Sequence, residues 1–131
     1  MCKNYKNIEF KKYVSDEELK ELYANCLVAI SIPINEDMGY VPMEAGFSGK
    51  ATIGVNEGGL KETIIDGKTG ILINNITPEK LAEKIDFFAN NQELAIKMGK
   101  EARKRVKEFD WENVLNRLDR IILEVVKNKN L

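Results

Sequence analysis

Two glutamates, Glu36 and Glu44, stand eight positions apart with Gly39 and Pro42 between them. Carboxylates accept hydrogen bonds from hydroxyls, so such a pair suits a polyhydroxylated ligand, or charge stabilisation at a reacting carbon. Residues on one helix face recur every three or four positions, and proline is tolerated only in a helix's first turn. The stretch therefore reads as a loop that turns into a helix beginning near Pro42, with Glu36 on the loop and Glu44 at the third helical position. The N–H groups of a first turn, together with the helix dipole, make a ready anion site. Gly39 lets backbone come close to a ligand. A phosphate at the helix end, attached to hydroxyls that meet the glutamates, has the composition of a nucleotide sugar. On spacing alone the plainer reading has the stronger claim: Glu44 favours its helix N-terminus and Glu36 is solvated.

The elements around this stretch must position it. The mixture of β-branched and aromatic residues over 8–14 predicts a short strand. Ser15 followed by Glu18 has the capping-box spacing, and Leu19, Leu22, Tyr23 and Cys26 recur at helical intervals, which predicts a helix over 16–25. The nearly unbroken apolar run 27–32 predicts a central parallel strand covered on both faces. After the loop and its helix, which ends by Gly49, residues 51–55 read as the next strand. Gly58 and Gly59 follow it and open a short helix over 60–65. A turn at 66–70 leads to a last strand, 70–73. Thr77 caps a helix with Pro78 at its first position and Leu81, Ile85 and Phe88 on its apolar face. Leu94, Met98, Ala102 and Val106 mark another. Asp110 caps a third, in which Trp111, Val114, Leu118, Ile121 and Val125 are expected to face the core. Strand and helix in alternation imply an α/β fold: a Rossmann-like partial parallel sheet of about four strands, flanked by helices, with a helical C-terminal region. Such a sheet binds ligands beyond the carboxyl ends of its strands.

Composition narrows the function classes. A chain of 131 residues with 44% hydrophobic content is one domain with a real core. With 20 basic and 21 acidic residues the net charge is −1, so no global field draws nucleic acid or an anionic membrane. Histidine is absent, which removes imidazole chemistry from this chain. Cys2 and Cys26 have neither metal-ligand nor redox-motif spacing and read as reduced thiols. No segment reads as a membrane span or a signal peptide. The basic series Lys97, Lys100, Arg103, Lys104, Arg105 and Lys107 reads as a solvated helix face, with peripheral contact to a membrane as its alternative. Phe109 and Trp111 read as core anchors.

Several blocks together are more specific. Glu36-Asp37-Met38-Gly39-Tyr40-Val41-Pro42-Met43-Glu44-Ala45, then Gly49-Lys50-Ala51-Thr52-Ile53, Gly58-Gly59-Leu60-Lys61-Glu62 and Asp66-Gly67-Lys68-Thr69-Gly70 follow in one order. This series resembles the carboxyl-terminal domain of retaining glycosyltransferases with the GT-B fold, the family with the Glu-x7-Glu signature, and its mannosyltransferase-like members in particular. The resemblance implies one half of a GT-B fold spanning residues 1–131, without its first strand-helix units. It implies a nucleotide-sugar substrate, a GDP- or UDP-hexose, with no cofactor and no metal, and transfer of a mannosyl or glucosyl group to a hydroxyl. It assigns Glu36 to the reaction centre as the catalytic residue and Glu44 to the ribose hydroxyls. Backbone groups of Met38, Gly39, Tyr40 and Val41 would hold the sugar and the diphosphate, and Gly58 and Gly59 would form a second donor-side loop. The cations that clamp the diphosphate, and the domain that binds a sugar or lipid-linked acceptor, would precede residue 1. The work would be cytoplasmic, with peripheral contact at the inner membrane face as the alternative. The alternative is a non-catalytic module that binds a nucleotide sugar or associates with a partner.

Overall fold

The computed structural model describes residues 5–34 and 37–128. Three parallel strands, β1 (Val28–Ser31), β2 (Ala51–Val55) and β3 (Gly70–Ile73), lie in the order β1-β2-β3. The register pairs Ile30 with Ile53 and Ile53 with Ile71. Six α-helices accompany them: α1 (Asp16–Asn25), α2 (Tyr40–Phe47), α3 (Leu60–Thr63), α4 (Pro78–Asn90), α5 (Gln92–Val106) and α6 (Trp111–Asn128). Residues 107–109 make one 3₁₀ turn between the last two. The α/β class and the partial parallel sheet are as expected, with three strands where the sequence predicts about four.

The local signals that name a specific hydrogen bond locate their elements. Ser15 Oγ accepts from the Glu18 N–H at 3.2 Å and starts α1. Thr77 Oγ1 accepts from the Lys80 N–H at 3.3 Å, with Pro78 first in α4. In the turn before β3, Asp66 Oδ1 accepts from the Leu72 N–H and Thr69 Oγ1 from the Ile65 N–H, at 2.9 and 2.8 Å.

Every residue of β2 is buried, and Ala51, Ile53 and Ile73 form the main core with Phe88, Ala95 and Met98. A second cluster, Val55, Leu60 and Ile64, packs α3 and the chain after it against β2 and β3. Helix α5 lies against α2 through small residues. A Cβ on Gly99 would stand 2.0 Å from the Gly49 carbonyl oxygen, and one on Gly46 2.5 Å from Val106 Cγ1. Those contacts hold α5 against α2 and against the turn that follows it.

Four expectations are corrected. Residues 8–14 form no strand: they are irregular, and Phe10 and Tyr13 are exposed, because no ladder partner exists for them among the described residues. The run 27–32 forms an edge strand, with β2 the central one, and Ile30 is 42% exposed. Its apolar composition exceeds what its place in this sheet demands. The short helix after Gly59 ends at Thr63, before Ile64 and Ile65. Helix α6 turns its stripe of Trp111, Val114, Leu118, Ile121 and Val125 outward, all exposed, with Trp111 at 75%. The stripe has helical period but no covering element among the described residues.

Candidate functional site

Both candidate loops leave the carboxyl edge of the parallel sheet, one after β1 and one after β2. The glycines bring them into direct contact. Gly59 lies so close under the first loop that a Cβ there would stand 2.3 Å from the Asp37 carbonyl oxygen and 2.8 Å from the Met38 carbonyl carbon. Gly39 is buried in the left-handed region, at φ 70° and ψ 57°, and caps α2. A Cβ on Gly39 would meet Thr63 Oγ1 at 3.0 Å and Leu60 Cδ1 at 3.4 Å. Thr63 is itself buried and donates to the carbonyls of Gly59 and Leu60 at 3.2 and 3.3 Å. The two loops and α3 thus form one backbone-packed unit, and its second loop turns at Gly58, φ 51°. Thr63 carries no motif; its buried position beside a helix of four residues is visible only in three dimensions.

Helix α2 begins at Tyr40, two residues before the expected start, so Pro42 is its third residue and Glu44 its fifth. Proline fits there because the first-turn N–H groups have no partner within the helix, so its missing N–H removes no helical bond. Since Pro42 has no N–H, the backbone donors at this end belong to Gly39, Tyr40 and Val41. The dipole of α2 still directs positive potential toward the loop.

The side chains of Met38 and Tyr40 are exposed beside this end, and Val41 is half-buried. Val41 lines an apolar groove of about 370 Å³ between α1 and β1, with Leu19, Leu22, Tyr23, Val28 and Ile30. Glu36 lies outside the described residues. Glu44 is exposed, and its Oε2 accepts from the Tyr23 hydroxyl at 2.8 Å. Partial burial, and then this hydrogen bond to a carboxylate, push the Tyr23 phenol well above its ordinary value. Tyr23 therefore stays a neutral donor across the physiological range. Nothing in the sequence separates it from the other residues on the apolar side of α1.

Elsewhere, the basic series is partly neutralised on its own helix. Lys104 pairs with Glu101 at 2.5 Å, and Arg105 pairs with Glu108. Arg105 also donates to the Glu62 carbonyl at 2.9 Å and stands 5.0 Å from the centroid of the Phe109 ring, which ties the end of α5 to α3. Phe109 is half-buried through that contact, whereas Trp111 anchors no core. Cys26 is a free thiol whose partial burial raises its pKa. Among the described residues no cluster of three or more His, Cys, Asp or Glu could hold a metal, and no helix is long and apolar enough to cross a membrane.

Comparison with known proteins places this architecture. The model of the family described as "Glycosyl transferases group 1" matches residues 2–105. The chain is 28% identical over 126 residues to a D-inositol 3-phosphate glycosyltransferase of Corynebacterium glutamicum, covering 96% of this chain and 30% of the relative. It is 34% identical over 110 residues to the alpha-1,3/1,6-mannosyltransferase ALG2 of Dictyostelium discoideum, covering 83% of this chain and 26% of the relative. In fold it is similar to Alr3699/HepE of Anabaena, solved in complex with UDP-glucose, with a TM-score of 0.67 at 20% identity over 79% of this chain and 29% of that one. The chain thus spans less than a third of the length of the curated relatives it matches.

Proposed function

The chain belongs to the glycosyl transferases group 1 family, and from that premise we propose that it is the donor-binding part of a retaining hexosyltransferase with a GDP- or UDP-hexose as substrate. The observation that carries this reading is the α2 terminus at the carboxyl edge of the sheet, with its first-turn backbone donors and with Glu44 one turn further along the same helix. An anionic diphosphate is stabilised by the N–H groups of Gly39 and Val41 and by the dipole of α2. Ribose hydroxyls donate to Glu44. The Anabaena likeness, solved with UDP-glucose, supports a nucleotide sugar as the donor class.

In the reaction the bond between the anomeric carbon and the diphosphate oxygen breaks, and its electron pair remains on the diphosphate. The acceptor hydroxyl forms the new bond at the same carbon and passes its proton to the departing diphosphate oxygen. Negative charge therefore grows next to the α2 terminus, where fixed dipoles stabilise it without reorganising. Glu36, to which the sequence resemblance gives the reaction centre, stabilises the positive charge that develops at the anomeric carbon. The acceptor, a sugar or a lipid-linked glycan, and the cations that clamp the diphosphate belong to a further domain. The enzyme works in the cytoplasm, at the inner membrane face when its acceptor is lipid-linked.

A second reading has one observation in its favour. The outward stripe of α6 gives the chain a surface for another protein, as a module that associates with a separate partner would need. In both readings the nucleotide site is the same, and it is tested by saturation-transfer NMR with UDP-glucose and GDP-mannose at millimolar concentration. Transfer to the ribose protons of at least one donor is expected. It should vanish in Glu44→Ala while amide dispersion is retained. Equal transfer to wild type and variant would remove Glu44 from the site.

A further inference from the structure

Helix α1 buries none of its side chains fully, yet it contributes one direct polar contact to the candidate site. Tyr23, near its carboxyl end, reaches α2 across 21 positions of sequence and donates to Glu44 Oε2 at 2.8 Å. Glu44 is exposed, and an unrestrained glutamate at such a position samples many rotamers, whose loss opposes ligand binding. The tyrosine restrains it beforehand. It engages one carboxylate oxygen, Oε2, and a carboxylate has a second oxygen with which to accept from a ligand. A phenol is suited to this task because its ring is itself held, half-buried, in the groove with Leu19, Val28 and Val41.

We propose that Tyr23 is a positioning residue for the nucleotide's ribose: its hydroxyl holds one oxygen of the Glu44 carboxylate so that the other accepts from the ribose hydroxyls. Helix α1 then contributes to donor recognition without touching the donor. The proposal rests on the reading of Glu44 as the ribose ligand. It also gives a reason for a tyrosine at position 23, where a leucine or phenylalanine would satisfy the apolar side of the helix equally well.

The test measures dissociation constants of UDP and GDP, and of their 2′,3′-dideoxy counterparts, by amide-shift titration of the full chain. Wild type, Tyr23→Phe, Glu44→Gln and the double variant are compared. Tyr23→Phe retains the ring, and its amide spectrum and melting temperature report that the fold is kept. The expected result is that Tyr23→Phe weakens the ribonucleotide about fivefold, the size of one ordinary hydrogen bond, and leaves the dideoxynucleotide unchanged. The double variant should match Glu44→Gln alone, because the tyrosine acts only through the glutamate. Should Glu44→Gln abolish ribose discrimination while Tyr23→Phe leaves it intact, Tyr23 has no positioning role and the Glu44 reading stands. Equal weakening of both nucleotides by Tyr23→Phe would make the tyrosine merely structural. Ribose discrimination that survives Glu44→Gln would overturn the Glu44 reading, and this proposal with it.

Discussion

Gly39 meets two requirements at once: a left-handed backbone at φ 70° and a space already filled by Thr63 Oγ1 at 3.0 Å from any Cβ. Alanine there is strained by its backbone and by the threonine, so Gly39→Ala is expected to lower stability by about 1–3 kcal/mol, read from urea unfolding. It should also weaken donor binding, because the same residue sets the start of α2. A variant as stable as wild type would show that the turn is not held as described. At this scale the sequence was partly legible. Gly39 was read as a point of close backbone approach, and it packs against Leu60 and Thr63. The contacts of Tyr23 and Thr63 were not legible, since they are made with a residue 21 positions away and with a neighbouring loop. Glu36, the residue to which the resemblance gives the most, lies outside the described residues, and its place rests on sequence.

Among the elements, β2 was read to the residue from its apolar run, and three more were placed by side-chain chemistry at their ends. Ser15, Thr77 with Pro78, and the Asp66 turn each form the hydrogen bonds their types imply, and α1, α4 and β3 begin where those bonds put them. Pro42 misled because it marks a first turn without saying which position of that turn it occupies. The segment 8–14 and the run 27–32 misled for a different reason: strand pairing is decided by what lies alongside, and propensity carries no information about a neighbour. The α2–α5 crossing was not legible, since Gly99 within a helix reads as a weak point. In the fold it is the contact itself. Gly99→Ala would force a methyl group to 2.0 Å from the Gly49 carbonyl oxygen, and backbone cannot yield as a flexible side chain does. An expected loss of about 1–3 kcal/mol in urea unfolding follows, more than any gain in helix propensity offsets. A stabilised variant would mean that α5 and the turn after α2 are further apart than described.

For the molecule as a whole, the stripe on α6 is the largest departure from expectation. Its period was readable, but its partner was not, because an amphipathic helix announces a face and not what covers it. The chain spans 30% of one curated relative and 26% of another, and the apolar face of α6 has no cover among the described residues. Truncation after Asp110 is therefore expected to leave the melting temperature of the remainder within about 2 °C, since the core lies in β1–β3, α2, α4 and α5. It should also reduce self-association in sedimentation velocity. A large fall in melting temperature would place α6 against the core after all. The central claim, that the α2 terminus holds a nucleotide sugar, is tested most directly by mapping amide shifts during titration with UDP-glucose and GDP-mannose to millimolar concentration. The account predicts that the largest changes fall on Gly39, Tyr40, Val41 and Glu44, at the carboxyl edge of the sheet. No change at those residues with either donor, or changes confined to the opposite edge around Gly49 and Lys50, would contradict it.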